Sequence, residues 1–228
     1  MREFDPLFKV KLAYDNNIIN KQVYNLLSKR KTLVDEKIEK ISKLTEIKYP
    51  HYFIEPNLLI ATSSLEYEQF SIIYARTLPI SNKNNKIEIF IQLFAPLIIY
   101  GLKGTIYSVL AHEFLHYLNI INKIINLEVY SDKPSNTLFE NIYSDSEKLF
   151  DHHKVFKRDK YLIKTIDKKF EHGFNDEKLN KKSIKYWLQK KLPIEKLQIE
   201  NNYTNLSFLS MANTEIGEDI KRKIIKYL

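Results

Sequence analysis

Cysteine is absent from this 228-residue chain, and glycine (4), methionine (2) and tryptophan (1) are scarce. Without cysteine there can be neither a disulfide framework nor a thiolate metal site, so any bound metal must be held by histidine and carboxylate ligands. The sequence also lacks a glycine-rich phosphate-binding loop, an RNA-binding signature and zinc-finger spacing. The strongly apolar stretch 89–102 is shorter than the ~20 residues of a membrane-spanning helix and contains Pro96. It predicts a buried strand followed by a connector, and no membrane partner.

The composition and length of the chain are typical of a soluble, enzyme-sized protein. Hydrophobic residues make up 44% and aromatic residues 13% of the chain, which excludes disorder. The length allows a full hydrophobic core. The first residues, Met1 to Lys9, include acidic side chains and lack the apolar segment of a secretory signal, so we expect a cytoplasmic location.

The basic excess lies entirely in the last third of the sequence. Residues 154–228 contain 18 Lys/Arg and 10 Asp/Glu, a net charge of +8, whereas residues 1–153 contain 18 of each. Such a region can bind nucleic acid or another anionic surface. We favour the simpler interpretation, in which these lysines lie on solvated helical faces.

Hydrophobic periodicity predicts an α+β protein with a small sheet of three or four strands before a central helix and a mostly helical C-terminal part. We divide the chain into a main domain, 1–153, which includes the N-terminal helices, and a basic helical extension, 154–228, packed on the same domain. The predicted strands lie in 52–54, 58–60, 70–75 and 87–93, with a hairpin connection at 81–85. The predicted helices lie in 6–47 (with a break at 15–17), 105–121, 137–156, 161–170, 182–191 and 215–227.

The central helix contains the sequence His112-Glu113-Phe114-Leu115-His116, which matches H-E-x-x-H. Positions i and i+4 lie on the same face of an α-helix, so His112 and His116 can direct two imidazole nitrogens at one Zn²⁺, with Glu113 beside it. Glu113 is the only charged residue from Tyr107 to Leu118, which predicts a buried helix. Two core histidines and a paired glutamate are the structural alternative.

This H-E-x-x-H helix, which is uncharged apart from Glu113 and has Val109 three residues before the first histidine, resembles that of the zincin metallopeptidases. The resemblance implies a zincin-like fold, bound Zn²⁺, a peptide or protein substrate, and hydrolysis by an activated water with Glu113 as general base. An inactive or regulatory zincin-fold metal-binding protein is one alternative. The other is a DNA-associated protease resembling the SprT-like family, with the basic region contacting nucleic acid.

A catalytic zinc usually has three protein ligands, so a third must come from elsewhere in the chain. The gluzincins, which this chain resembles most, use a glutamate on the next helix, and Glu140 in Thr137-Leu-Phe-Glu140-Asn is our candidate. The order Glu-Asn is the reverse of the family's usual Asn-Glu, and Thr137-x-x-Glu140 is also a capping-box pattern. The metzincin pattern is disfavoured, because Asn122 stands where that family has its third ligand.

Two alternatives to Glu140 remain open. Glu147 begins the sequence Glu147-Lys-Leu-Phe-Asp151, whose Glu-x-x-x-Asp spacing is used in many gluzincins, where the aspartate orients a ligand histidine. His153, with its neighbour His152, lies in a sequence that resembles the His-x-x-Phe of SprT-like proteases, although Lys154 replaces the usual glycine. His172 is a more distant possibility.

Overall fold

The computed structural model of the protein describes residues 5–62, 70–128, 131–132, 150–171, 173–198 and 204–228. The helices are α1 (Phe8–Asp15), α2 (Lys21–Thr45), α3 (Ala95–Tyr100), α4 (Lys103–Asn126), α5 (His152–Val155), α6 (Lys160–Phe170), α7 (Glu177–Ser183, continued by a π-helical turn at Ile184–Leu188), α8 (Phe208–Ala212) and α9 (Glu218–Tyr227). The strands are β1 (His51–Glu55), β2 (Leu58–Thr62), β3 (Phe70–Ile73), β4 (Ala75–Ser81), β5 (Ile87–Phe94), β6 (Ser131–Asp132), β7 (Ile194–Gln198) and β8 (Thr204–Asn205).

The N-terminal helices follow the predicted pattern, including the break. Helix α1 ends at Asp15, and Asn17 has a positive φ of 56°, a conformation that asparagine tolerates better than most residues. The side chain of Asn20 then caps α2 by accepting a hydrogen bond from the Val23 N–H. Helix α2 buries one stripe of side chains against the rest of the core.

The described strands form two three-stranded sheets and a two-stranded sheet, β6-β8, so the expectation of a single small sheet is wrong in this respect. One sheet has the order β1-β5-β4, with β1 parallel and β4 antiparallel to β5. The other has the order β3-β2-β7, with β3 antiparallel and β7 parallel to β2. Tyr74 separates β3 from β4, and the chain passes there from one sheet to the other. Residues 70–75 have the pattern of one continuous strand, so this passage between the two sheets could not be predicted from the sequence.

Strand β4 lies at the edge of its sheet and was not predicted beyond Ala75. Pro79 interrupts the strand pattern, yet an edge strand tolerates proline because one of its sides needs no ladder hydrogen bond. The predicted hairpin after it is confirmed: Ser81 pairs with Ile87, and Asn85 has a φ of 52°.

The apolar stretch 89–102 forms most of β5, as the sequence predicted, but the short helix α3 stands where a connector was expected; the residues of the stretch are largely buried. The H-E-x-x-H helix α4 follows it and is longer than predicted. Sixteen of its 24 residues are buried. In the described parts of the chain, no helix combines the length and the apolar character needed to cross a bilayer.

Three predictions about the C-terminal half need correction. Of the helix predicted over 137–156, residues 137–149 lie outside the described residues, and α5 begins at His152, where the Asp151 side chain caps it. The helix predicted over 182–191 begins earlier, at Glu177, and changes to π-helical hydrogen bonding at Ile184. The segment after Pro193 is strand β7, whose pairing with β2 is a long-range contact that local patterns do not reveal.

Candidate metal centre

Helix α4 brings the two histidines of the motif together. The Nε2 atoms of His112 and His116 lie 3.2 Å apart, with the rings nearly perpendicular at 84°. Two nitrogen ligands of a tetrahedral zinc, each about 2.0–2.1 Å from the metal, are separated by about 3.3–3.4 Å. The observed spacing is therefore close to that of a ligand pair, and the two side chains fit a shared Zn²⁺.

Glu113 is buried beside this pair and is held by the edge strand β4. The Thr77 hydroxyl donates a hydrogen bond of 2.7 Å to Oε2 of Glu113, and the same hydroxyl lies 3.0 Å from the Glu113 carbonyl oxygen. Both residues are less than a tenth exposed. Since rotation of a carboxylate in a buried site is limited by its hydrogen bonds, Thr77 fixes the orientation of the Glu113 side chain.

The ring of His112 is stacked on Phe170, which ends helix α6. The ring centroids lie 4.0 Å apart and the planes differ by 16°. Phe170 is itself buried, so this contact restricts the His112 imidazole to one ring plane. The sequence did not single out Phe170, because its contact with His112 spans almost sixty residues of chain.

Helix α6 is anchored to α4 through Asp159 at its N-terminus. The Asp159 carboxylate accepts hydrogen bonds from the Leu162 N–H and the Tyr107 hydroxyl and pairs with Lys40. Burial alone would raise the pKa of Asp159, but the hydrogen bonds from Lys40, Leu162 and Tyr107 outweigh it, and the pKa lies below its ordinary value of 3.8. Asp159 is therefore an ionised cap that positions the helix carrying Phe170.

His112 and Glu113 face a cavity of about 260 Å³. Residues 71–75 form one wall, and Phe170 and Phe174 form part of another. The Tyr74 hydroxyl donates a hydrogen bond to Asn180 in this region and lies 3.0 Å from the Ser183 Oγ. Burial raises the pKa of the Tyr74 phenol, which stays protonated and donates its one proton to Asn180. The cavity thus combines two motif residues with a lining of both polar and apolar side chains.

Some candidates for the third ligand lie among the described residues and others do not. Glu140 and Glu147 belong to 133–149, and His172 is also outside the described residues. His153 is described, and it groups with His152 and Asp167. In the described part of the chain, no set of three potential ligands includes His112 and His116.

The group around His153 joins helices α5 and α6. Nε2 of His152 lies 2.7 Å from Oδ1 of Asp167, and Nε2 of His153 lies 3.3 Å from the same oxygen. Burial lowers the pKa of His152, although the hydrogen bond with Asp167 opposes this effect. His152 is buried and His153 is exposed.

No protein-family model matches the chain, and neither a curated protein nor a solved structure resembles it closely enough to count as a match. The functional inference therefore depends on the geometry of His112, Glu113 and His116 and on the chemistry of those side chains.

Proposed function

We propose that the protein is a zinc-dependent peptidase in which His112 and His116 bind the metal and Glu113 is the general base. The observation that supports this most strongly is the 3.2 Å separation of the two Nε2 atoms beside a buried carboxylate. Without a metal, the same 3.2 Å separation is that of a hydrogen bond between the two rings, so zinc content is the property that distinguishes the two roles.

The chemistry follows from the side chains. When bound, Zn²⁺ lowers the pKa of coordinated water toward ~7 and polarises a carbonyl group. Glu113 accepts the proton of the attacking water and delivers it to the amine nitrogen as the C–N bond breaks. Thr77 positions the Glu113 carboxylate, and Phe170 holds the His112 ring.

Glu140 remains our proposal for the third ligand, with Glu147 as the first alternative. Both carboxylates belong to the segment that follows α4, as the gluzincin resemblance implies. His153 is a weaker alternative than the sequence alone indicated, because among the described residues it groups with His152 and Asp167 and not with His112 and His116.

Replacement of Glu113 by Gln tests the proposed function directly. The amide preserves size but cannot accept the proton, so hydrolysis of a quenched fluorescent peptide library should fall by at least ~10²-fold while zinc content stays unchanged. Glu128→Gln is a matched control, since Glu128 follows the same helix and is 46% exposed at its side chain. Full activity in Glu113→Gln would contradict the mechanism.

A further inference from the structure

His152, His153 and Asp167 form a cluster with the side chains of a metal site. Their three closest ligand atoms lie within 4.8 Å of one another. The side chains are 4%, 54% and 31% exposed, respectively, so the cluster has one buried side and one side open to water. It belongs to helices α5 and α6, whereas His112 and His116 belong to α4.

The two distances from Asp167 Oδ1 to the histidine nitrogens are close to those between ligand atoms around a bound zinc. Ligand atoms around a tetrahedral zinc are separated by about 3.3–3.4 Å. The separation between His153 Nε2 and Asp167 Oδ1 is already 3.3 Å. The separation between His152 Nε2 and Asp167 Oδ1 is 2.7 Å, a hydrogen-bond length, and would need to open by about 0.6 Å.

The ligand types select the class of ion. Two imidazole nitrogens and one carboxylate oxygen favour Zn²⁺, Co²⁺, Ni²⁺ or Cu²⁺, whereas Mg²⁺ and Ca²⁺ prefer oxygen ligands throughout. The exposed side at His153 gives the ion a path from solvent and leaves room for water to complete the shell.

We infer that His152, His153 and Asp167 bind a second divalent transition-metal ion, separate from the one proposed for His112 and His116. This ion links α5 to α6. Asp167 lies three residues before Phe170, so the same ion fixes the turn of α6 that contacts His112. The inference depends only on this cluster and holds whether or not the protein is a peptidase.

Zinc titration of the chelator-treated 228-residue chain tests the second site. We expect His153→Ala and Asp167→Asn each to bind one equivalent fewer than the wild type, or to bind that equivalent at least ~10-fold more weakly. His51→Ala is the matched control, because His51 is exposed and lies outside the cluster, and it should bind as the wild type does. Far-ultraviolet circular dichroism would verify that each variant is folded, and His153 tolerates replacement because its side chain is 54% exposed.

Titration of the variant His112→Ala/His116→Ala separates the two sites from each other. This double variant should still bind one equivalent of zinc, and addition of His153→Ala to it should remove that equivalent, whether or not His112 and His116 bind zinc in the wild type. Unchanged stoichiometry and affinity in both His153→Ala and Asp167→Asn would overturn the inference and leave Asp167 as a hydrogen-bond partner of His152. Displacement of the bound zinc by excess Mg²⁺ would contradict the assigned class of ion.

Discussion

Thr77 controls the orientation of the proposed base through a single hydroxyl group. Thr77→Val keeps the shape of the side chain but removes the 2.7 Å hydrogen bond to Glu113. A hydrogen bond to a charged group contributes about 1.5–3 kcal/mol, so we expect kcat to fall by about 10-fold or more, with zinc content unchanged. Steady-state kinetics on the peptide library would measure the change.

Thr77→Ser provides the control for this positioning role, because it retains the hydroxyl and should restore most of the activity. A Thr77→Val protein with wild-type kcat would show that Glu113 does not depend on this contact. A similar loss in both variants would instead indicate a packing defect at β4.

Glu140 and Glu147 can be distinguished by their effects on zinc and on stability. Glu140→Ala should weaken zinc binding by ~10-fold or more through loss of a ligand, while Glu147→Ala should have less effect. If Glu140 only caps a helix, its removal should cost about 1 kcal/mol of stability and leave zinc affinity unchanged. Metal titrations compared with melting temperatures would separate these outcomes. Zinc loss confined to Glu147→Ala would assign the third ligand to Glu147 instead of Glu140.

The residues that could be predicted from the sequence are those whose geometry is local. His112 and His116 are four positions apart on one helix, so their convergence follows from helical periodicity. Thr77 and Phe170 reach the same site from β4 and α6, and their contacts depend on the tertiary arrangement of those elements. Asp167 had no local signal either, because its partners lie on another helix.

At the scale of elements, α6 connects three features of the molecule. Its first turn is capped by Asp159, Asp167 contacts the two histidines of α5, and Phe170 stacks on His112. A change at either end of this helix should therefore affect the candidate metal centre. The helix was predicted from its apolar spacing, but its role in the site was not.

The cap of α6 predicts a defined pH dependence. The pKa of Asp159 is lowered in the folded protein, so its contribution to stability is present above its ordinary value of 3.8 and is lost as the pH falls through the lower native pKa. Asp159→Asn keeps the capping geometry and removes the charge. We expect it to lower the free energy of unfolding by about 1–3 kcal/mol at about pH 7 and by less at about pH 3.

Urea unfolding at the two pH values would measure this difference. Asp219→Asn is the control, because that carboxylate is 82% exposed, and it should have little effect at either pH. An Asp159→Asn deficit of equal size at both pH values would contradict an electrostatic origin.

At the scale of the whole molecule, the C-terminal region contributes to the fold as well as to the charge. Strand β7 pairs with β2 along five residues, and Phe170 contacts the H-E-x-x-H helix. The sequence predicted the α+β class and, from 154 onward, a helical extension packed on the same domain. It did not reveal the second sheet, because β7 is short and its partner precedes it by well over a hundred residues.

Truncation after residue 153 tests whether residues 1–153 fold without the rest of the chain. The fragment 1–153 loses β7 and α6, which leaves an edge of β2 unpaired and removes the ring stacked on His112. We expect no cooperative urea transition from this fragment. A cooperative transition with wild-type zinc affinity would instead establish 1–153 as a self-sufficient domain.

A zinc-loaded crystal measured at the zinc absorption edge tests the central claim most directly. The account predicts an anomalous peak about 2.0–2.1 Å from Nε2 of both His112 and His116, with Glu113 beside it but not coordinating. The same map would identify the third ligand and reveal any ion at His152, His153 and Asp167. Zinc present in the crystal but absent from His112 and His116 would contradict the account.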